Sequence, residues 1–228
     1  MSNLRDAIVR MALRRPYLYL LVTLVISIVL MEVLVEIAEH TFIKPALQQL
    51  ELQFIAYVQQ FVTPPLTAEV MLVTASGSST FYLLASALVC CWYLYSRQKD
   101  RLYLYLVCLC GGGILNQVLK RIFERVRPDI FPVIAESGYS FPSGHAMGAI
   151  CFYGILAYFA GLGLRSKPLR WGLMVAAGIY ILLIGLSRVY LGVHYPTDIL
   201  AGYAAGATWL FFCITLHRIS VSYTHLTL

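Results

Sequence analysis

The chain has 228 residues, of which 60% are hydrophobic and only 12% are charged, and its formal net charge is +6. Soluble globular domains carry about 25% charged residues, so this composition excludes an ordinary soluble domain and indicates a protein that lies mainly in a lipid bilayer. The long apolar runs lack the alternation of barrel strands, which leaves a helical membrane protein.

Six apolar runs are long enough to cross a bilayer, since a spanning helix needs about 20 mainly apolar residues. They cover residues 17–38, 69–95, 102–122, 144–164, 171–191 and 198–216. The first run is too long for a signal peptide and no small-residue cleavage site follows it, so we expect it to be retained. The sequence therefore predicts an all-α fold, an integral membrane bundle of six transmembrane helices that forms a single domain over residues 1–220.

The segment between the first two spans, residues 39–68, predicts a short amphipathic helix on the outer surface. Its apolar residues recur at helical spacing. They are Leu47, Leu50, Phe54, Ile55 and Val58.

Most of the basic residues fall on one side of this six-helix layout. They lie in the N-terminal segment, in the second–third and fourth–fifth loops and at Arg218. Short loops rich in Lys and Arg stay on the cytoplasmic side, so we expect both termini in the cytoplasm and the chain in the inner (cytoplasmic) membrane. The net charge then reflects topology, and no nucleic-acid partner is expected. Six basic residues are left for the outer side, against the usual bias: Lys44, Lys120, Arg121, Arg125, Arg127 and Arg188.

The first outer cluster is KRIFERVRP, residues 120–128. Lys120 and Arg127 are two helical turns apart and would share a face if the helix continued, while Pro128 discourages its extension. Two cations on one face favour an anion site. Taken alone, the cluster is equally compatible with a basic flank that reaches the membrane surface.

The second outer cluster is YSFPSGHAMG, residues 139–148. We expect Ser140 to cap a helix whose first turn holds Pro142. The free amides of Ser143, Gly144 and His145 would then suit a phosphate, helped by the helix dipole. Without the other clusters, a capped helix start with a chance histidine would explain the stretch.

The third outer cluster is SRVYLGVHYPTD, residues 187–198. Arg188 lies in or just above an apolar span, where a charge normally marks a function or a buried partner. Asp198, near a helix N-terminus, is expected to stay ionised and to accept a hydrogen bond from one ring nitrogen of His194. The other nitrogen would be an activated nucleophile or base, although a purely structural His–Asp pair is the alternative.

Together the clusters predict three cations, a helix N-terminus and two histidines at one end of the bundle, a set that suits phosphoryl transfer. The order K-x6-RP, PSGH and SR-x5-H-x3-D, over residues 120–198, resembles the type-2 phosphatidic acid phosphatase superfamily. The likeness is greatest to its bacterial membrane lipid phosphatases that act on phosphatidylglycerol phosphate or undecaprenyl pyrophosphate.

The resemblance implies a role for each matching residue. His194 would attack phosphorus to form a phosphohistidine, Asp198 would hold its ring, and His145 would serve as acid and then as base. Lys120, Arg127, Ser143, Gly144 and Arg188 would bind the phosphoryl oxygens. The family needs no metal, the sequence offers no carboxylate cluster for one, and no cofactor is expected.

The predicted function is thus metal-independent hydrolysis of the terminal phosphate of a lipid phosphate or pyrophosphate at the outer membrane boundary. Two alternatives stay open: a phosphotransferase of the same superfamily that passes the phosphate to a lipid acceptor, and a non-catalytic lipid-phosphate transporter. The physiological lipid and the oligomeric state are not determined by the sequence.

Several residues fit no catalytic motif. Arg121 and Arg125 are expected to meet lipid headgroups or Glu124, and Asp129 and Glu136 lie in the outer loop without an assigned role. The tail, residues 221–228, resembles translated cloning sequence and is given no function.

Overall fold

A computed structural model of the chain describes residues 2–130 and 132–224, and the regular structure of these residues is entirely helical. The helices are α1 Ser2–Ile43, α2 Pro45–Gln59, α3 Pro64–Ala75, α4 Ser79–Tyr95, α5 Lys99–Phe123, α6 Gly144–Ala149, α7 Ile155–Gly163, α8 Lys167–Tyr190 and α9 Pro196–Thr224. A π-helical turn, Ile150–Gly154, joins α6 to α7. The predicted all-α membrane bundle is confirmed.

Among the described residues, five helical stretches are long and apolar enough to cross a membrane, and a bent pair of helices makes a sixth if it forms one span. The stretches are Leu21–Ile43, Lys99–Phe123, Gly144–Gly163, Lys167–Tyr190 and Pro196–Arg218. Helices α3 and α4 meet at an angle of 50°, so the span predicted over 69–95 is broken at residues 76–78. The serine hydroxyls there replace helical bonds: Ser76 Oγ donates to Val73 O at 2.7 Å, and Ser78 Oγ accepts from Phe81 N at 3.1 Å.

Proline marks the start of four helices. Pro45, Pro64, Pro168 and Pro196 each stand in the first turn of α2, α3, α8 and α9. The missing amide hydrogen does no harm there, because first-turn amides have no partner within the helix. Pro196 therefore sets the beginning of α9 two residues before Asp198.

Helix α9 is central to the bundle and packs against α1, α5, α6 and α8. Gly202 and Gly206 form a small-residue stripe on α9 that allows α6 to approach closely. A Cβ atom at Gly202 would lie 2.7 Å from Ser143 O, and one at Gly206 would lie 2.9 Å from Met147 O. This close contact brings the start of α6 beside the start of α9.

The predicted amphipathic helix is present as α2, but it is more deeply attached than a helix lying on a surface. Ile55 is completely buried, in a cluster with Val189 of α8 and Ile199 of α9. Leu50 and Phe54, which we placed on the same apolar face, are 60% and 47% exposed. Helix α2 therefore covers the C-terminal end of α8 with the face that carries Ile55.

Helix α9 continues to Thr224, so the predicted domain boundary at residue 220 falls within it. The last four residues of the predicted tail, 225–228, lie outside the described residues. The division into a domain and a tail stays a prediction.

Candidate active site

The three clusters meet at one end of the bundle. Helix α5 ends there, α6 and α9 begin there, and α8 ends there. A cleft of about 660 Å³ opens between them, and its polar end is lined by five of the predicted residues: Lys120, Arg127, Gly144, His145 and His194. Arg188, Ser143 and Asp198 lie buried beside it.

His194 is held between a carboxylate and a guanidinium. Its Nδ1 lies 3.2 Å from Oδ2 of Asp198, and its Nε2 lies 3.1 Å from Nη1 of Arg127. The Oδ2 atom also accepts from the amide of Tyr195 at 2.9 Å. Because Asp198 can only accept, Nδ1 carries the hydrogen and Nε2 presents its lone pair toward Arg127 and the cleft.

Burial lowers the pKa of His194 to about 4, below its ordinary value of 6.5. Asp198 acts in the opposite direction, while the nearby Arg127 and Arg188 add to the lowering. Loss of solvation penalises the charged imidazolium in this fully buried position. The ring is therefore neutral at physiological pH, as a nucleophile requires.

Arg127 reaches the site by a different route from the one expected. Helix α5 ends at Phe123, and Glu124 takes a left-handed conformation with φ of 46°, so Lys120 and Arg127 do not share a helical face. The guanidinium of Arg127 is fixed by backbone carbonyls, with Nε donating to Gly138 O and Nη1 to Val193 O, both at 2.9 Å. It is thereby held against His194.

Arg188 is 2% exposed and is bound from two directions. Its Nη1 donates to Thr74 Oγ1 on α3 at 2.7 Å, and its Nη2 forms an ion pair with Oε2 of Glu136. The same Glu136 oxygen lies 3.5 Å from Nη1 of Arg127. A carboxylate of the loop between α5 and α6 therefore lies between the two guanidinium groups, and Thr74 is a partner that no sequence signal indicated.

Lys120 and His145 complete the polar lining of the cleft. Lys120 Nζ donates to Tyr139 O at 2.5 Å. His145 packs against the break in the second span, where a Cβ on Gly77 would lie 3.1 Å from His145 Cδ2. The break between α3 and α4 thus makes room for the histidine of α6.

The expected helix start at Ser140 is wrong by three residues. Helix α6 begins at Gly144 with Ser143 as its N-cap, whose Oγ accepts from Ala146 N. Ser140 instead fastens the loop, with its amide and hydroxyl both donating to Arg125 O. Pro142 precedes the first turn, so it cannot serve as its first residue.

The amide of Ser143 is not free as we expected, because it donates to Asp198 O at 2.9 Å. The first-turn amides of Gly144 and His145 have no carbonyl partner within the helix. These two amides of α6 are therefore available to bind an anion. The amide of Ser143 instead links the start of α6 to α9.

The prediction for Arg125 is wrong. This residue is 8% exposed and does not meet lipid headgroups or Glu124. Its Nη1 donates to Asp198 Oδ1 and its Nη2 to Glu51 Oε2, each at 2.6 Å. The left-handed turn at Glu124 redirects the chain inward, and Glu124 accepts instead from the Tyr139 hydroxyl at 2.8 Å.

Within the part of the chain that the structure describes, no three His, Cys, Asp or Glu side chains are grouped so as to hold a metal ion. The donors around the cleft are cationic or neutral. Such a set suits an anion better than a cation.

The comparisons with known proteins agree on one family. Residues 101–221 match the model of the PAP2 superfamily. Phosphatidylglycerophosphatase B of Bacillus subtilis is 40% identical over 156 residues, which are 67% of this chain and 76% of that protein. Undecaprenyl-diphosphatase of Sulfolobus acidocaldarius is 33% identical over 110 residues, about half of each chain.

The fold matches solved membrane proteins as well. The crystal structure of the transmembrane PAP2 type phosphatidylglycerolphosphate phosphatase from Bacillus subtilis superposes with a TM-score of 0.80 at 31% identity, over 85% of this chain and 96% of that one. Aquifex aeolicus LpxE gives a TM-score of 0.59 at 21% identity, over 72% of this chain and 93% of that one, and shows likeness of fold alone. This chain therefore belongs to the PAP2 superfamily, as a multi-pass membrane phosphatase.

Proposed function

We propose that the chain hydrolyses the terminal phosphate of a membrane lipid phosphate or pyrophosphate through a phosphohistidine on His194. The observation that carries the proposal is the setting of the imidazole, with Nδ1 held by Asp198 and Nε2 beside Arg127 in the cleft. Phosphatidylglycerophosphatase B and undecaprenyl-diphosphatase, two relatives, are named for substrates of this kind.

The place of the phosphoryl group lies between Arg127 and Arg188. Both guanidinium groups already bind one carboxylate there, that of Glu136, which supports an anion site at this position. In addition, the buried Nε of Arg188 has no hydrogen-bond partner among the described residues. A buried donor without a partner is costly, and a phosphoryl oxygen would satisfy it.

In the first step, the lone pair of His194 Nε2 attacks phosphorus. The N–P bond forms while the bond from phosphorus to the leaving oxygen breaks, and His145 gives its proton to that oxygen. Negative charge develops over the three equatorial oxygens. Donors around the cleft stabilise it: Lys120, Arg127, Arg188 and the amides of Gly144 and His145.

In the second step, water attacks the phosphohistidine. His145, now neutral, accepts the proton of the water as its oxygen bonds to phosphorus, and the N–P bond breaks. Inorganic phosphate leaves and both histidines return to their starting states. Asp198 stays ionised throughout and stabilises the His194 ring when it carries positive charge.

The shape of the cleft supports a lipid substrate. From the cations it continues between α4 and α5, where its lining includes Leu83, Ala87, Leu106 and Leu109. Leu106 precedes Lys120 on α5 by fourteen residues, which is roughly 20 Å at 1.5 Å per residue. An apolar crevice of this length beside a phosphate site suits an acyl or polyprenyl chain.

The basic residues also support an orientation. We place both termini in the cytoplasm and the candidate active site at the outer face of an inner membrane, because the loops at the opposite end carry most of the Lys and Arg. Reporter fusions at the C-terminus test this: a reporter active only in the cytoplasm is expected to work, and an inactive one would reverse the orientation.

The function is tested with purified protein and a panel of lipid phosphates and pyrophosphates, in excess EDTA and with no lipid acceptor. We expect free phosphate from the wild type, and from a His40→Ala control outside the cleft, but none from His194→Ala. Rapid acid-free quenching with a radiolabelled substrate should trap an acid-labile phosphoprotein.

Each competing function predicts a different outcome. Phosphate that leaves the substrate only when a lipid acceptor is added would identify a phosphotransferase. Substrate binding without any phosphate release would favour the transporter. Full activity of His194→Ala would overturn the proposed mechanism, and loss of activity in EDTA would contradict its independence of metal.

A further inference from the structure

A buried ionic network lies behind the candidate active site, on the side of His194 away from the cleft. It runs from Asp198 to Arg125 to Glu51, whose side chains are 0%, 7% and 4% exposed. Both ion-pair distances are 2.6 Å. No motif used to assign the family role includes Glu51, which belongs to the amphipathic helix α2.

The network determines how the Asp198 carboxylate is rotated. Arg125 binds its Oδ1, whereas Oδ2 accepts from Tyr195 N and faces His194 Nδ1. A carboxylate whose two oxygens are assigned to different donors cannot exchange them without breaking a buried ion pair. Oδ2 therefore stays opposite Nδ1 of the imidazole.

Arg125 is itself held on several sides. Nη2 binds Glu51, Nη1 also donates to Thr197 Oγ1 at 2.8 Å, and the guanidinium lies 3.8 Å from the ring centre of Tyr195. Arg125 thus supplies the counter-charge to two buried carboxylates, and its loss would leave both without one.

Glu51 also fixes the start of α9. Its Oε1 accepts from the amide of Thr197 at 2.9 Å and from the Thr197 hydroxyl. A carboxylate is favourable at a helix N-terminus. One side chain of α2 therefore holds both Arg125 and the helical turn that carries Asp198.

We propose that Glu51 and Arg125 are positioning residues for the phosphoryl-transfer reaction, acting through Asp198 on the orientation and basicity of His194. The inference rests on the proposed function of His194. Helix α2 then contributes to catalysis through Glu51, in addition to packing on the end of the bundle.

The test compares Glu51→Gln and Arg125→Lys with Glu39→Gln, which makes the same chemical change at an exposed residue of α1. We expect kcat to fall about ten- to a hundredfold in the two network variants, the range seen when a partner that orients a reacting ligand is lost. KM should stay within about twofold, and Glu39→Gln should match the wild type.

A double-mutant cycle separates positioning from general stability. In an Asp198→Asn background, Glu51→Gln should cause little further loss of kcat, because residues acting through one group are not additive. Equal, multiplicative losses in both backgrounds, or a rise in KM with unchanged kcat, would overturn the inference. If Glu51→Gln does not fold, Thr197→Val, which removes the hydroxyl that bonds both Arg125 and Glu51, is measured in the same cycle and decides by the same outcomes.

The controls distinguish the two proposals. If His194→Ala keeps full activity, the proposed function itself fails. If His194→Ala is inactive while Glu51→Gln and Arg125→Lys behave as wild type, only the positioning role is wrong.

Discussion

At the scale of single residues, the acid–base behaviour of His194 follows from its surroundings. The proposed attack on phosphorus requires a neutral imidazole, and burial lowers the pKa of His194 to about 4. Protonation therefore removes the nucleophile only well below pH 6.5, the ordinary value for histidine. A partly exposed histidine in the same role would be protonated, and the activity lost, at a higher pH.

We predict that kcat/KM falls on acidification near pH 4 to 5 because His194 becomes protonated. The pH of this acid limb applies after the profile is corrected for the ionisation of the substrate phosphate. Arg127→Gln should move this limb to higher pH while lowering activity, because Arg127 opposes the imidazolium charge. The measurement is a pH profile of kcat/KM for both proteins. A limb near pH 6.5 that does not move in Arg127→Gln would contradict the prediction.

Glu136 competes, in our interpretation, with the phosphoryl group for the two guanidiniums. Its carboxylate contacts Arg188 and lies 3.5 Å from Arg127. We predict that Glu136→Gln tightens vanadate inhibition by about tenfold, a factor equal to roughly 1.4 kcal/mol and within the range of one charge-assisted hydrogen bond. Vanadate is the probe because its adduct resembles the transition state.

The matched control for Glu136 is Asp129→Asn, since Asp129 is an exposed acidic residue of the same loop. It removes the same charge from the loop and should change vanadate inhibition little. Weaker inhibition of Glu136→Gln would instead mean that Glu136 orders the arginines for the substrate.

At the scale of helices, the approach of α6 to α9 brings the second and third clusters together. The amide of Ser143 donates to Asp198 O at 2.9 Å, and α9 has glycine where α6 crosses it. A backbone contact of this kind leaves no room for a methyl group. The two helix starts can therefore lie close together because these glycines have no side chain.

We predict that Gly202→Ala lowers both kcat and the unfolding temperature, with a loss of kcat of at least about tenfold, because its Cβ would lie 2.7 Å from Ser143 O. Gly178→Ala on α8 is the control, since a Cβ there has no neighbour within 4 Å. Alanine is favoured over glycine in a helix by about 1 kcal/mol, so the control should be neutral or slightly more stable. Equal effects at both positions would contradict this account.

At the scale of the whole molecule, the break in the second span joins the phosphate site to the bilayer. The bent pair α3 and α4 places Gly77 against His145 and leaves α4 beside α5, with the apolar part of the cleft between them. In the proposed function, a lipid would place its phosphate among the cations while its chain stays at membrane depth. The site and the path of the chain are parts of one cleft.

We predict that Gly113→Phe, which introduces a ring from the lining of this cleft, raises KM for a long-chain lipid phosphate by about tenfold or more. A Cβ at Gly113 meets nothing within 4 Å, so the substitution should fold. KM for a short, water-soluble phosphomonoester should be unchanged. Gly178→Phe, outside the cleft, should affect neither substrate, and equal effects of Gly113→Phe on both substrates would argue against the α4–α5 path.

Much of the architecture followed from the sequence, because hydropathy, length and proline position are local properties of the chain. They predicted the membrane bundle, the separate helix α2 and the approximate spans. The three motifs also predicted the set His145, His194, Asp198, Lys120, Arg127 and Arg188, since each motif carries its chemistry within a few residues. The break at residues 76–78 was missed, because an apolar run looks the same whether it forms one helix or two.

The sequence by itself determined which groups are available for phosphoryl transfer and at which end of the bundle they lie. Only the tertiary structure decided their partners: Glu51 and Arg125 behind Asp198, Thr74 and Glu136 on Arg188, and Ser143 on the Asp198 carbonyl. These contacts join residues up to 114 positions apart, as between Thr74 and Arg188. They depend on how helices pack and where α5 ends, which local patterns of polarity do not encode.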